Sequence, residues 1–317
     1  MKNLWKFIKI ISVNIVLFVL FICFSDMLIY LETGKTVLKN SLKCKYIFLI
    51  KNPPLLTPCS VGFFSDKEGY SGRAPVGAEY KNKKPIVIFG CSYAYGKTLN
   101  KKETFGYELS HYLKVPVYNR AIDGGGFQQM YMQTITESFF KEVPPADKVI
   151  YVMINDHYRR MYGEAFDIDS FYLNPFYKEK NGELELANYN NYFLNFLRYS
   201  TSVRIIKYLW YEYYLNNGFN QDKITDFALL HLKKSREKLE EKWNKKINFT
   251  VVLYDDTPIK FQELLIKKLK QNGFNVYVTS ELTDENLSDE KYLSSKTEHP
   301  TKEAWDLLTP LIAEKIR

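Results

Sequence analysis

From Pro85 onward the chain repeats one pattern, a short continuous apolar run followed by a break and a stretch with helical spacing. The runs are "PIVIFG", "VPVYNRA", "KVIYVMIN", "NFTVVLYDD" and "FNVYVTS". They are rich in β-branched and aromatic residues, which favour strands. Between them, "TFGYELSHYL" sets Phe105, Leu109 and Leu113 four apart, "FQQMYMQTITESFFKEV" reads as one helix, and "TKEAWDLLTPLIAEKI" closes the chain as another. Strands alternating with helices require crossover connections, so this part is expected to be an α/β domain with a parallel sheet. A mostly helical insertion, 157–248, interrupts the alternation with "NYNNYFLNFLRY", "VRIIKYLWYEYYL" and "DFALLHLKKSREKLEEKWN". It opens at the carboxyl end of the third strand, the edge where open α/β sheets place their sites. It is therefore expected to form a lid or groove wall, or simply a helical layer over the sheet.

The opposite end of the chain has a different character. Phe7 to Ser25 is nineteen residues with a single charge, Lys9, and Lys2 and Lys6 precede it. About 20 predominantly apolar residues span a bilayer as a helix. "FICFSDMLIY" lacks the small-x-small site of a cleaved leader, so residues 1–30 are expected to be an uncleaved membrane anchor. Lysines also follow the run, so the charge count alone does not orient it. A long domain translocates largely regardless of such charges, and the expectation is a single-pass protein with its domain outside the cytoplasm. Residues 31–84 read as a juxtamembrane segment rich in Pro, Gly and Ser, and 85–317 as the α/β domain.

Composition narrows the partners. Lys and Arg number 44 against 36 acidic residues, but the lysines are dispersed and no Arg-rich tract or nucleic-acid motif occurs, so no nucleic-acid partner is expected. Four cysteines do not form a metal-type spacing. Cys44 and Cys59 could pair outside the cytoplasm or remain free thiols. No metal or cofactor is expected.

"PIVIFGCSYAYGKT" poses the chemical question. A phosphate-binding loop needs four residues between its first glycine and Gly-Lys-Thr. Here five, Cys91 to Tyr95, separate Gly90 from Gly96, and Tyr93 and Tyr95 would crowd a phosphate. What remains is a serine at the carboxyl end of a strand. Three further blocks follow: Asn119 and Gly124–Gly126 in "VYNRAIDGGGFQQ" after the second strand, Asn155 in "VMIND" after the third, and His299 in "TEHPTKEAW" before the last helix. The order Ser, Gly, Asn, His resembles the SGNH (GDSL-type) hydrolases over about 85–317, with the insertion unmatched.

The resemblance implies a flavodoxin-like three-layer sandwich and a serine esterase, very often one that removes acetyl groups from sugars. Carried onto this sequence, it makes Ser92 the nucleophile and His299 the general base. The backbone N–H groups of Ser92 and Gly124 and the amide of Asn155 form the oxyanion hole. The chemistry needs these residue types: a serine hydroxyl attacks only when a base takes its proton, and N–H donors stabilise the charge of the tetrahedral intermediate. Each residue alone also has a plain structural role open to it, as helix cap, turn or loop residue. His157, two residues past Asn155, is a rival base but reads as structural.

Three positions depart from the family pattern. Cys91 stands where the family has aspartate, Met153 where it has a glycine, and Lys296 where the triad acid usually precedes the histidine by three. Either another acid substitutes, with Asp289 placed first, Glu298 second and Asp284 also in reach, or a Ser-His dyad operates, or catalysis is lost. The expected substrate is an acylated cell-envelope carbohydrate or another ester. The alternatives are an acyltransferase with the same residues and a non-catalytic glycan-binding or assembly protein.

Overall fold

The computed structural model describes residues 2–33, 75–161, 177–186, 221–254 and 262–317. The chain divides into two compact units. One comprises Met1–Pro53, Glu164–Phe171 and Asn188–Asn217, and the other comprises Pro54–Gly163, Tyr172–Ala187 and Gly218–Arg317. The stretches "NYNNYFLNFLRY" and "VRIIKYLWYEYYL", Cys44, Cys59 and most of 31–84 lie outside the described residues.

In the first unit, Lys2–Thr33 forms one helix, α1. The expected membrane span is not found there: among the described residues no helix is long and apolar enough to cross a membrane. Val13, Ile15, Val16, Leu17, Phe18, Leu20, Phe21 and Phe24 of α1 are exposed.

The second unit holds the sheet. β1 (Ile86–Gly90), β2 (Val117–Asn119), β3 (Lys148–Met153), β6 (Asn248–Leu253) and β7 (Asn275–Val278) pair in the order β2-β1-β3-β6-β7, and every pairing is parallel. That is the flavodoxin-like order, in which the chain first runs outward and then reverses to cross β1. The expected α/β sandwich with a parallel sheet is present. Alternate residues of β1 and β3 face opposite layers. Ile86, Ile88, Ile150 and Val152 belong to a core shared with Phe105 and Leu109 of α3 (Phe105–Leu113) and with Trp305, Leu308 and Ile312 of α9 (Lys302–Ile316). On the other face Phe89 stacks on Phe139 at 5.7 Å, which lies on α5 (Glu137–Glu142). There too Tyr151 stacks on Phe127 at 5.2 Å, on α4 (Phe127–Thr134). Burying aromatic and branched side chains on both faces is the main stabilising term of such a sheet.

Two features add detail to the expected elements. The helical stretch expected over "FQQMYMQTITESFFKEV" consists of two helices, α4 and α5, because Thr136 between them is extended (φ −103°, ψ 126°). Within the described residues of the insertion, besides α6 (Asp156–Met161) and α7 (Gln221–Trp243), there is an antiparallel hairpin, β4 (Tyr177–Lys180) with β5 (Glu183–Leu186). Its two-residue turn is Asn181-Gly182, both at positive φ (54° and 77°), as tight hairpins require.

Candidate active site

Ser92 begins α2 (Ser92–Tyr95), one residue past the Cys91 cap that follows β1. The short helix ends at Gly96 in the left-handed region (φ 74°), whose N–H donates to the Ser92 and Tyr93 carbonyls. Asn119, at the end of β2, ties this helix to the neighbouring strand. Its Nδ2 donates to the Ala94 carbonyl at 2.7 Å and its Oδ1 accepts from the Ala121 N–H at 3.1 Å. Ser92 is only 5% exposed, so little solvent reaches it.

Gly124 sits in a turn closed by the Gly125 N–H donating to the Ile122 carbonyl at 2.8 Å. At φ +70° it occupies the third turn position, where positive φ makes glycine the natural residue. The next glycine is required for another reason: a Cβ on Gly125 would lie 2.7 Å from the Ile122 carbonyl oxygen and 3.1 Å from that of Gly90. Among the described residues the N–H groups of Ser92 and Gly124 have no acceptor. Asn155 lies between β3 and α6, with its carbonyl accepting from Tyr158 N–H at 3.2 Å. The carboxyl ends of adjacent strands β2, β1 and β3 thus carry Gly124, Ser92 and Asn155 in turn.

His299 comes from the far end of the chain. β8 (Leu293–Ser294) and β9 (His299–Pro300) form an antiparallel hairpin with Ser294 opposite His299. Its turn is held by the Thr297 and Glu298 N–H groups, both donating to the Ser294 carbonyl, and Glu298 sits at φ +53°. Just beyond His299, the Thr301 hydroxyl accepts from the Ala304 N–H at 3.3 Å as cap of α9 and donates to the Lys291 carbonyl at 2.6 Å. The hairpin delivers His299 to Tyr93, the residue after Ser92, with ring centroids 5.5 Å apart. Tyr93 meets Tyr254 at 5.2 Å and Tyr254 meets the buried Trp305 at 5.6 Å, so the histidine rests on an aromatic chain running into the core. Ser92 and His299 share no hydrogen bond among the described residues, and Tyr93 lies between them in the chain of contacts. Catalytic pairs in unliganded enzymes often close only when substrate binds.

No hydrogen bond joins Asp289 to His299 among the described residues. His299 Nδ1 contacts the Thr297 carbonyl, and Asp289 instead accepts from Asn286 Nδ2 at 2.7 Å in its own exposed turn. A carbonyl can only accept, so Nδ1 carries the proton and Nε2 is left with the lone pair a base needs. Burial pushes the imidazole below its usual pKa, opposed by the Thr297 carbonyl and the nearby Asp123 carboxylate. Glu298 is the αL residue of the hairpin turn. The rival His157 is fully buried, 2.7 Å from the Tyr151 hydroxyl through Nδ1, and is structural as expected.

Two ion pairs flank these residues, and the sequence drew no attention to either. Lys97 Nζ meets the buried Asp123 carboxylate at 2.9 Å. Arg160, on α6, meets Asp156 at 2.6 Å. The only signal for them was proximity to the blocks, since nothing in their spacing marks them. Among the described residues no group of three His, Cys, Asp or Glu side chains is placed to hold a metal ion.

No family model matches the chain, and no curated protein does. Solved structures match at low identity. A member of the lipolytic protein G-D-S-L family from Veillonella parvula is 11% identical over 73% of this chain and 97% of its own, with a TM-score of 0.43. The psychrotrophic esterase EstA from Pseudoalteromonas is 11% identical over 74% of this chain and 97% of its own, with a TM-score of 0.41. A family two carbohydrate esterase from Cellvibrio japonicus is 10% identical over 74% of this chain and 61% of its own, with a TM-score of 0.37. Likeness this remote assigns neither reaction nor substrate. In the order of its site residues along an α/β chain, the protein is similar to the SGNH (GDSL-type) hydrolases.

Proposed function

We propose that this chain is a serine ester hydrolase. The observation that carries the reading is the delivery of His299, Nδ1 on the Thr297 carbonyl, to the residue beside Ser92, at the sheet edge that also carries Gly124 and Asn155. His299 Nε2 takes the proton of the Ser92 hydroxyl as Oγ attacks the ester carbonyl. The resulting oxyanion accepts hydrogen bonds from the Ser92 and Gly124 N–H groups and from the Asn155 amide. Collapse expels the alcohol, which takes its proton from His299, and a water activated the same way releases the acid. A backbone carbonyl in place of the acid orients the imidazole but adds no full negative charge beside the imidazolium, so the reading is of a dyad.

The test uses a fluorophosphonate probe and a small acetyl ester. Wild type should be labelled and should turn over the ester, whereas Ser92→Ala should do neither while keeping its melting temperature, since only a small hydroxyl is removed. Undiminished hydrolysis by Ser92→Ala sinks the assignment. Absence of labelling in wild type favours a non-catalytic binding protein instead.

A second reading, acyl transfer to a sugar hydroxyl, is favoured by the burial of Ser92 (5% exposed), since shielding the acyl-enzyme from water lets another acceptor compete. Product analysis with and without a sugar acceptor separates the two. The substrate proposed is acylated carbohydrate of the cell envelope, with an acetyl group on the sugar. The location proposed is a membrane, with the domain on its outer side. Its support is the apolar run Phe7 to Ser25 and the exposed apolar side chains of α1. The intact chain should sediment with membranes, and protease added outside whole cells should degrade the domain. Recovery in the soluble fraction removes the anchor, and protection from protease reverses the orientation.

A further inference from the structure

Arg160 stands on α6 five residues past Asn155, with its side chain 12% exposed. Its guanidinium meets two parts of the site. Nε donates to Asp156 Oδ2 at 2.6 Å and Nη2 lies 2.6 Å from the same oxygen. Nη1 donates to the Gly125 carbonyl at 2.6 Å. Its alkyl stem passes 3.6 Å and 3.8 Å from where a Cβ on Gly126 would stand. One planar cation thus touches the turn bearing Gly124 and the helix that starts beside Asn155.

We propose that Arg160 is the positioning residue of the oxyanion site, holding the Gly124–Gly126 turn in register with Ser92 and Asn155. The inference rests on the ester-hydrolase reading. Its physical basis is that three successive glycines have the most backbone freedom to lose and no side chains to pin them. Within the turn there is one backbone hydrogen bond, from Gly125 N–H to the Ile122 carbonyl. Arg160 supplies a second, charge-assisted restraint on the Gly125 carbonyl. Asp156 holds the guanidinium from its other edge, so the donor aimed at Gly125 cannot swing away. Lysine does not replace this function, because a single flexible ammonium lacks the fixed fork that spans Asp156 and Gly125 at once.

The experiment is steady-state kinetics on an acetyl ester for the full chain and for Arg160→Lys, Arg160→Gln and Asp156→Asn, beside Ser92→Ala. Binding of a phenylboronic acid, which forms a tetrahedral anion on the serine, is measured in parallel. Losing an oxyanion donor costs roughly 10²–10³ in kcat. Arg160→Lys and Arg160→Gln are expected to lose about 10²-fold in kcat on that scale with KM changed less than about threefold, and boronate affinity should fall in step with kcat. Asp156→Asn, which frees one edge of the guanidinium, should lose kcat in the same sense but less. A purely structural role would instead lower the active fraction and leave kcat per active site and boronate affinity unchanged; that outcome overturns the proposal. If Arg160→Gln does not fold, Arg160→Lys decides by the same criteria. Failure of both to fold makes Arg160 a fold determinant and also overturns it. Full kcat in Arg160→Lys beside a dead Ser92→Ala removes this inference alone, whereas activity in Ser92→Ala removes the hydrolase reading beneath it.

Discussion

In the proposed reaction one atom decides what His299 does. With Nδ1 on the Thr297 carbonyl, only Nε2 can accept a proton, and burial keeps the ring neutral below the usual histidine range. A base must be unprotonated to act, so a lowered pKa moves loss of activity to lower pH. The kcat/KM profile should therefore stay level as pH falls through about 6.5, the ordinary histidine value, and decline below it as one proton binds. A midpoint above that value contradicts the burial. Asp289→Asn should leave kcat within about threefold. A fall approaching the roughly 10⁴ seen when a triad orienter is lost would return the role to Asp289. The missing acid is legible in the sequence as Lys296. Its replacement is not, because a backbone carbonyl has no side-chain signature and is placed only by how the hairpin folds back.

At the scale of elements, two turns carry the site, and each has a local cause. The Ile122–Gly125 turn needs Gly124 for its positive φ and Gly125 for lack of room. The oxygens that a Cβ on Gly125 would meet belong to backbone and cannot swing aside. Gly125→Ala should displace the turn, lowering kcat by about 10²-fold or more through loss of the Gly124 donor, with a stability loss on the order of 1–3 kcal/mol as for overpacking. Thermal melting and kcat together check it, and an unchanged kcat would mean the turn does not serve the oxyanion. The β8–β9 hairpin was not readable in "KYLSSKTEHP", since two-residue strands are too short for alternation to register. By contrast the β4–β5 hairpin was written plainly in "YKEKNGELEL", where Asn-Gly between alternating runs is a strong turn signal; the helical reading of the insertion overlooked it. The split of the helix after β2 also has a local warning in Thr134, Ile135 and Thr136, three successive β-branched residues that helices disfavour.

Over the whole molecule, the parallel order β2-β1-β3-β6-β7 places three of the four site residues on adjacent strand ends where the order reverses, the general location of sites in such folds. The layer that covers the opposite face from α3 and α9 contains two fully buried histidines, His157 and His231, both packed around Phe127. Burial holds His157 well below the usual value and His231 down to about 4. Above about 6.5 neither folded nor unfolded chain binds protons there, so stability is fully present. As pH falls, the unfolded chain binds protons first, and stability is lost between about 6.5 and 4. His231 alone should contribute on the order of 3 kcal/mol to that loss. Denaturant unfolding across this range should show it, and His231→Phe should flatten the slope. An identical slope in the variant would mean that the imidazole is not held neutral.

The strands, the parallel sheet, the position of Ser92 after the first strand and the ordered blocks are all legible along the chain, because these depend on short apolar runs and on residues within a few positions of a strand end. What lies beside what comes from the folded packing. His299 is 207 residues from Ser92 along the chain and reaches it through a four-residue hairpin loop and an aromatic chain anchored at Trp305. The turn brings the Thr297 carbonyl, and not the Asp289 carboxylate, to His299 Nδ1. Arg160 joins the site because the helix after β3 folds back over the glycine turn. Contacts between strand ends are set by register and packing, and no local spacing encodes them.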